Sequence, residues 1–456
     1  MLSSNSKNFN ISNQLSFSFK ELGIFKALKH ANIYKRNGRE VTTVFTILFS
    51  LVYHHLSWNQ FVSSKYNPEF GKDVAYRFLN SQRFNWRRFL LDIACNATSM
   101  VEKLTDSSRI NVFIIDDSPY DRKRSKKTEM LSKIFDHVSH SYFNGFHLLT
   151  LGWSDGATFI PVDFSLVATV KTLINNISSS IDKRSIAYTR RKECLMKKTD
   201  LSIEMVKRAL RNGINADYVL MDSWFIFPSV LERFKKDAGI DVIGMVKNIR
   251  PNVYKYNGKS HTIDKLYAIA MNNGRKNSNY HGILASISAA TASGLKVRLV
   301  FVTNRNNKSE YLALVSTDLS LSDEEVIRLY ERRWQIECCF KSMKSTFRLE
   351  KEFISNSFDA LVAHTSIVFT RYTVTAWEIR KENDIKTLGE LFLIMCEDIR
   401  DITFIEAFNS LLSMIIELAD ESGAKVANKI NNMLEKWYSM LPQWLYQTIC
   451  MSRSAL

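Results

Sequence analysis

The stretch "RINVFIIDDS" (109–118) has the pattern of a buried strand, because a run of β-branched and aromatic apolar residues ends in two carboxylates. The stretch "ADYVLMDSWF" (216–225) repeats this pattern and also ends in a carboxylate. Further strands are predicted at 145–167, where two flank a turn at 154–156, and at 240–247. An amphipathic helix at 201–213 lies among them. This alternation predicts a mixed α/β sheet with helices on both faces.

The charge of the chain favours a polyanionic partner. Its 62 Lys and Arg outnumber 46 Asp and Glu, which gives a net charge of +16. Such a surplus is most often used to bind nucleic acid, although a merely basic soluble protein is the alternative. The segment at 72–94 reads as two helices around a short turn. Helix-turn-helix DNA binding uses this pattern, and plain helical bundles share it.

The cysteines and the apolar segments argue against a disulfide-bonded secreted protein and against a membrane protein. The six cysteines include no CxxC pair, so neither a zinc site nor a disulfide framework is expected, and a reducing cytoplasm fits. The N-terminus lacks the basic-then-apolar order of a signal peptide. The apolar run at 41–53 is shorter than the roughly 20 residues that span a bilayer. We therefore expect a cytoplasmic protein with no membrane partner, and a buried helix at 41–53.

The stretch "LYERRWQIECCFKSMK" (329–344) carries several charged residues on one predicted helix, which begins near Ser322. Residues three or four positions apart form one stripe on it, namely Tyr330, Arg333, Glu337, Lys341 and Lys344. One interpretation is an exposed helix that gains about 0.3–0.5 kcal/mol from an i,i+4 ion pair. The other is an acid held among cations that receive an anionic ligand.

A family resemblance favours the second interpretation. The spacing Y-x2-R-x3-E-x6-K at 330–344 resembles the Y-R-E-K signature of the insertion-sequence family 4 group of bacterial transposases. The two strand-end acids stand upstream in the order that the D-D-E triad of this family requires. The resemblance covers roughly 105–380, and the segment at 248–316 stands where the family carries a β-strand insertion. It implies a ribonuclease H-like mixed sheet flanked by helices.

The resemblance also assigns residues to the chemistry. Asp117, Asp222 and Glu337 would be the catalytic carboxylates that bind metal, Mg²⁺ or Mn²⁺, with two ions expected. Asp117 is preferred to Asp116 because the first Asp of the family directly precedes Ser or Thr, here Ser118. Strand alternation agrees that the two neighbours cannot both face one site.

DNA contacts follow from the same helix. Tyr330, Arg333 and Lys344 would contact DNA phosphates, with Lys341 on the same stripe. Trp334 resembles an aromatic that holds a flipped base in relatives, and Tyr311 is a weaker candidate whose alternative is strand packing. The basic stretches 121–129 and 182–198 fit phosphate tracking or solvated loops. His147 and His364 are expected to be ordinary core or surface residues.

The implied function is cut-and-paste transposition. Water would attack the phosphodiester at the end of the element, and the freed 3′-hydroxyl would attack a second phosphodiester. The expected partners are double-stranded DNA, as inverted-repeat ends and target, and a second copy of the chain. Two alternatives stay open, a repurposed DNA-binding protein without cleavage and a different metal nuclease on a ribonuclease H-like core.

The predicted organisation has five regions. They are a helical N-terminal DNA-binding region (1–105), a first part of the catalytic core (106–247), a β-rich insertion (248–316), a second part of the core with the Glu337 helix (317–385), and a helical C-terminal region for dimerisation (386–456).

Overall fold

The computed structural model describes most of the chain. The described residues are 13–64, 70–106, 108–136, 141–250, 252–272, 282–304, 307, 310–353, 355–381, 415 and 424–440. The C-terminal region expected at 386–456 therefore lies outside the described residues, except for residue 415 and the helix Ala424–Met440.

The part of the chain before the sheet is helical. Its helices are α1 (Asn13–Glu21), α2 (Ile24–His30), α3 (Val41–Ser50), α4 (Trp58–Val62), α5 (Asp73–Leu79) and α6 (Trp86–Lys103). The apolar helix α3 is almost wholly buried, as its composition predicts, and the Phe45 ring packs edge-on against Phe89 of α6 at 5.4 Å. No helix among the described residues is long and apolar enough to cross a membrane.

The predicted helix pair at 72–94 corresponds to α5 and α6, but one of its cations is not free to meet DNA. The guanidinium of Arg87 is buried and donates to the carboxylates of Asp163 and Glu193. Arg208 donates to the same two carboxylates, which closes a buried ionic network. Because burying a charge is costly unless it is paired, this network fixes α6 against the sheet.

The core sheet is built around one central strand. Its strands are β1 (Val112–Asp121), β2 (Ser132–Asp136), β3 (Ser141–Ser154), β4 (Phe159–Val167), β5 (Tyr218–Met221) and β6 (Asp241–Val246). Strand β1 pairs antiparallel with β3 and parallel with β5, while β4 pairs antiparallel with β3 and β6 pairs parallel with β5. The resulting order, β4-β3-β1-β5-β6, has three antiparallel strands followed by two parallel ones. This is the mixed sheet that the sequence pattern predicts, and it fits the ribonuclease H-like fold that the family resemblance implies.

The segment expected as a β-rich insertion extends this sheet. It contains β7 (Val253–Tyr256), β8 (Lys259–Thr262), α10 (Ile263–Asn272), β9 (Ile283–Ala290), β10 (Lys296–Thr303) and β11 (Tyr311–Ser316). Strand β11 pairs antiparallel with β6, and β10 and β9 follow, so that the sheet has eleven strands within the part of the chain that the structure describes.

Helices cover both faces of the sheet. The remaining ones are α7 (Ile186–Cys194), α8 (Lys198–Arg211), α9 (Pro228–Arg233), α11 (Asp323–Glu331), α12 (Trp334–Ser345), α13 (Phe358–Lys381) and α14 (Ala424–Met440). Helix α8 packs on β3 and β4, α12 packs on β1, and α13 packs on both α6 and β4. Helix α13 is buried from Phe358 to Glu378, which makes it the central helix of the described structure.

Candidate functional site

Strand β1 places its two neighbouring acids on opposite faces of the sheet, because successive side chains of a strand alternate. In the parallel pairing of β1 with β5, Ile115 lies opposite Met221. The next residue of each segment is an acid, so Asp116 and Asp222 continue the same register at the carboxyl end of β5. Ligands of α/β sheets bind at this edge. Asp116, and not Asp117, therefore shares a face with Asp222.

Asp116 lies in a buried and acidic environment. The Arg333 Nη1 donates to its Oδ2 at 3.0 Å, and the backbone N–H of Asp117 donates to its Oδ1 at 2.8 Å. The pKa of Asp116 is raised to about 7, mainly by burial and also by the negative charges of Asp117 and Asp222, against the opposing effect of Arg333. A carboxylate in this position gains from a nearby cation.

Asp117 lies against different partners on the other face. The Nδ1 of His147 lies 2.8 Å from its Oδ2, and the Lys198 Nζ donates to its Oδ1 at 3.0 Å. Burial opposes ionisation, but the His147 hydrogen bond and the Lys198 charge outweigh it and hold the pKa of Asp117 below its ordinary value. The structure thus does not bring Asp117 together with Asp222 and Glu337, contrary to the expectation from sequence.

The sequence did contain a signal for Asp116. Each of Asp116 and Asp222 is the first residue after a four-residue apolar run, "VFII" in one case and "YVLM" in the other. Aligning the two runs as neighbouring parallel strands selects Asp116, whereas the family preference for an acid directly before Ser118 selected Asp117.

The helix predicted to run from Ser322 through Lys344 is two helices. Helix α11 begins at a capping box in which the Ser322 and Glu325 side chains exchange hydrogen bonds with backbone N–H groups, and it ends at Glu331. Helix α12 begins at Trp334. At the break, Arg332 Nη1 donates to the carbonyl of Ile110 at 2.6 Å, a contact that holds the turn against the start of β1.

Arg333 joins the two helices to the strand. Its Nη2 donates to Glu337 Oε1 at 2.6 Å while its Nη1 donates to Asp116, so that one guanidinium contacts two of the acids. The Tyr330 ring lies 5.9 Å from this guanidinium, and burial raises the pKa of the Tyr330 phenol. Arg333 and Tyr330 therefore lie inside the acidic site.

The lysines of the predicted stripe behave differently from each other. Lys344 Nζ donates to Ser118 Oγ at 2.8 Å and to the Pro119 carbonyl at 2.5 Å, so it lies along β1, two residues beyond Asp116. Lys341 is exposed to solvent. The stripe therefore has one lysine in the site and one at its outer rim.

The two predicted aromatic contacts also differ. Trp334 has an exposed fraction of 63%, an uncommon value for a tryptophan. Tyr311 stacks on Tyr267 with ring centroids 4.2 Å apart, and its hydroxyl donates to Asp264. Tyr311 is thus engaged within the extension of the sheet, as its strand-packing alternative predicts.

Four residues at this edge were not singled out from sequence as members of the site. Lys198 and His147 contact Asp117, although His147 was expected to be an ordinary core or surface residue. Trp224, two residues after Asp222, is 55% exposed, and Lys247 Nζ lies 3.0 Å from the centroid of its ring. Trp224 and Lys247 follow the neighbouring parallel strands β5 and β6, and only the pairing of those strands brings them together. His364, by contrast, is buried in the core.

The donor set suits a hard divalent cation, because Asp116, Asp222 and Glu337 offer carboxylate oxygens alone. The side chains as they stand do not form such a group. Within the described residues, no three His, Cys, Asp or Glu side chains are arranged to hold a metal ion. The guanidinium of Arg333 instead contacts both Asp116 and Glu337. The three acids are of the type that binds a divalent metal ion, but Arg333 already pairs with two of them.

Two family models match parts of the chain. A model of DDE superfamily endonucleases matches residues 62–255, and a model of the transposase DDE domain matches residues 198–373. Among solved structures, the Drosophila P element transposase strand transfer complex aligns over 87% of this chain and 92% of that chain, at 11% identity and a TM-score of 0.21, which is too low to carry an argument. No curated protein matches the chain. The two family models support a DDE transposase.

Proposed function

We propose that this chain is a DNA transposase of the insertion-sequence family 4 group, which cuts the terminal inverted repeats of its element and joins them to target DNA. The supporting observation is the register of β1 and β5, which aligns Asp116 with Asp222, together with the bond from Arg333 to both Asp116 and Glu337. In this proposal Asp116 replaces Asp117 as the first carboxylate of the triad.

The three carboxylates Asp116, Asp222 and Glu337 would hold Mg²⁺ or Mn²⁺, and two ions are expected. A bound pair of such ions supplies an activated attacking oxygen and charge stabilisation for the leaving one. Asp117 takes a supporting role. Its contacts with Lys198 and His147 fix the middle of β1 and so orient Asp116 on the opposite face.

The cations around the acids would orient the DNA. Arg333 and Lys344 would contact phosphates next to the scissile bond, because a guanidinium and an ammonium both form charge-assisted hydrogen bonds with phosphate. Exposed Lys341 would contact the backbone further out, and exposed Trp334 would stack on an unpaired base. The basic loop after β1 has four exposed cations, Lys123, Arg124, Lys126 and Lys127, that extend the same path.

The complex would contain two copies of the chain. A transposon has two ends, each chain offers one set of carboxylates, and cutting and joining both ends thus requires a pair of sites. The proposed route is cut-and-paste, in which hydrolysis frees a 3′-hydroxyl and that hydroxyl attacks the target phosphodiester.

The proposal is tested by cleavage of a duplex that carries one end of the DNA segment around the gene. With Mg²⁺ present, Asp116→Asn and Glu337→Ala are expected to reduce the cleavage rate by a factor on the order of 1000, since each removes a charged ligand. The matched neighbour variant Asp117→Asn is expected to stay within about tenfold of the native rate, because it leaves the triad intact.

If Asp117→Asn instead reduces the cleavage rate far more than Asp116→Asn, Asp117 is the first carboxylate of the triad. If the Glu337→Ala variant still cleaves the duplex, the proposed assignment of the triad is wrong. Binding of the duplex by the native chain without any cleavage would contradict the enzymatic proposal.

A further inference from the structure

The guanidinium of Arg333 contacts two of the proposed metal ligands at once. Arg333 donates to Asp116 at 3.0 Å and to Glu337 at 2.6 Å, and its side chain is 17% exposed. The two acids have exposed fractions of 16% and 34%, so the contacts lie partly away from water. In such a setting a charge-assisted pair is stronger than on an open surface.

These contacts use oxygens that a divalent cation would need. A hard cation binds carboxylate oxygens directly, and a guanidinium that donates to the same carboxylates competes with it. Burial lowers the pKa of Arg333, but Tyr330, Asp116 and Glu337 together raise it above its ordinary value, so the guanidinium stays charged beside the two acids. The competition is built into the fold, because Arg333 precedes the first residue of α12 and Glu337 lies one turn later.

The other cations of the site do not have this arrangement. Lys344 donates to Ser118 and to a backbone carbonyl. Lys198 donates to Asp117, on the opposite face of β1. Among the hydrogen bonds of the described residues, Arg333 is thus the cation that contacts two acids of the proposed triad at once.

We propose that Arg333 is an internal counter-ion that keeps Asp116 and Glu337 closed to divalent cations until a DNA phosphate draws the guanidinium away. The inference rests on the proposed function and adds a regulation to it, namely that metal binding and DNA binding strengthen each other. Phosphate suits the exchange, because Arg binds it through the same two-pronged geometry that it uses with carboxylates. A coupling between two binding events is reciprocal, so each ligand raises the affinity for the other by the same factor.

Such coupling would limit unwanted cutting. A chain without DNA would hold its carboxylates neutralised by Arg333, and the cation would enter once phosphate had taken the guanidinium.

The test is Mn²⁺ binding to the full chain, measured by calorimetry and by the electron paramagnetic resonance of free Mn²⁺, without any DNA. The variant Arg333→Gln is expected to bind Mn²⁺ about ten- to a hundredfold more tightly than the native chain, in line with usual coupling strengths. The matched control Arg328→Gln, which removes an exposed arginine on α11, is expected to leave the affinity unchanged.

A second arm adds a short DNA duplex. The duplex is expected to tighten Mn²⁺ binding by the native chain and to tighten it much less in Arg333→Gln. Arg333→Lys keeps a positive charge without the two-pronged geometry, and its affinity should lie between the two. It also serves as the variant to measure if Arg333→Gln fails to fold, as judged by circular dichroism.

Equal or weaker Mn²⁺ binding by Arg333→Gln would overturn the counter-ion role while leaving the transposase proposal intact. Tighter binding in a chain that never cleaves DNA would support the counter-ion role and overturn the proposed function. Absence of Mn²⁺ binding to every variant, with and without duplex, would overturn both.

Discussion

Asp116 and Asp117 show how the surroundings of a residue, more than its type, set its charge. Burial raises the pKa of Asp116 to about 7, while the His147 hydrogen bond and the Lys198 charge overcome burial and lower the pKa of Asp117. The acid that ionises most easily is already paired with a lysine. The acid that resists ionisation shares its face with the other carboxylates and is paired with Arg333, so a metal ion that took the place of Arg333 would favour its ionised form.

Glu350 offers a test of the same physics away from the proposed triad. It is buried and burial raises its pKa to about 7, although Lys344 opposes the rise. Its pKa in the folded state lies above the value in the unfolded state. The free energy of unfolding therefore falls as the pH rises through about 7, because the buried carboxyl group must then ionise. We expect Glu350→Gln to raise the free energy of unfolding by about 1–3 kcal/mol above pH 8 and by little near pH 5.

Urea denaturation at the two pH values measures this difference. The exposed acid Glu331, changed to Gln, serves as the control for the loss of one carboxylate. A loss of stability at both pH values in Glu350→Gln would mean that the carboxylate is ionised and stabilised by Lys344.

At the scale of elements, the start of α11 is fixed by its cap. The Ser322 side chain accepts a hydrogen bond from the Glu325 N–H, and the Glu325 side chain accepts one from the Ser322 N–H. We expect Ser322→Ala to lower the free energy of unfolding by about 1 kcal/mol, because a free N–H is left at the helix start. Ser345→Ala, at the exposed end of α12, should change it by less than about 0.5 kcal/mol.

Chemical denaturation of the two variants gives the comparison directly. If Ser322→Ala is as stable as Ser345→Ala, the cap does not determine where α11 begins.

Most elements of the core were predictable, and the limits of the prediction have a physical cause. Apolar runs and turn signals located β1, β3 to β6 and α8 within a few residues, because these features act locally. The break between α11 and α12 was not predictable in this way. It coincides with contacts from Arg332 to Ile110 and from Gln335 to Gly156, both more than 170 positions away in the sequence.

The same distinction applies to the candidate site. The family resemblance assigns Asp222, Glu337, Arg333 and Lys344 to the candidate site. The choice between Asp116 and Asp117 depends on the register of β1 with β5. The pairing of Trp224 with Lys247 also depends on which strands are neighbours. Local patterns give the residue types, while strand pairing decides which of them face each other.

At the scale of the whole molecule, Arg371 ties distant segments to α13. It is fully buried, and it donates to the carbonyls of Leu48 and Phe49, to the carbonyl of Phe347, and to the carboxylate of Glu352. We expect Arg371→Met to lower the free energy of unfolding by about 3–5 kcal/mol, because it leaves the Glu352 charge buried without its partner.

The matched control is Arg77→Met, which removes an exposed arginine from an ion pair with Asp73 and should cost less than about 1 kcal/mol. Thermal and urea unfolding measure both variants. A small loss in Arg371→Met would show that the helical part of the chain and α13 are held together mainly by apolar contacts.

The three acids are synthesised at different times, because they lie far apart along the chain. Asp116 and Asp222 leave the ribosome well before Glu337, and Glu337 reaches them only after α12 has packed on β1. A nascent chain therefore displays its basic loop at 122–127 long before the third acid can join the other two. On the proposed function, a polypeptide whose synthesis stops short of α12 lacks the third carboxylate and cannot cut DNA.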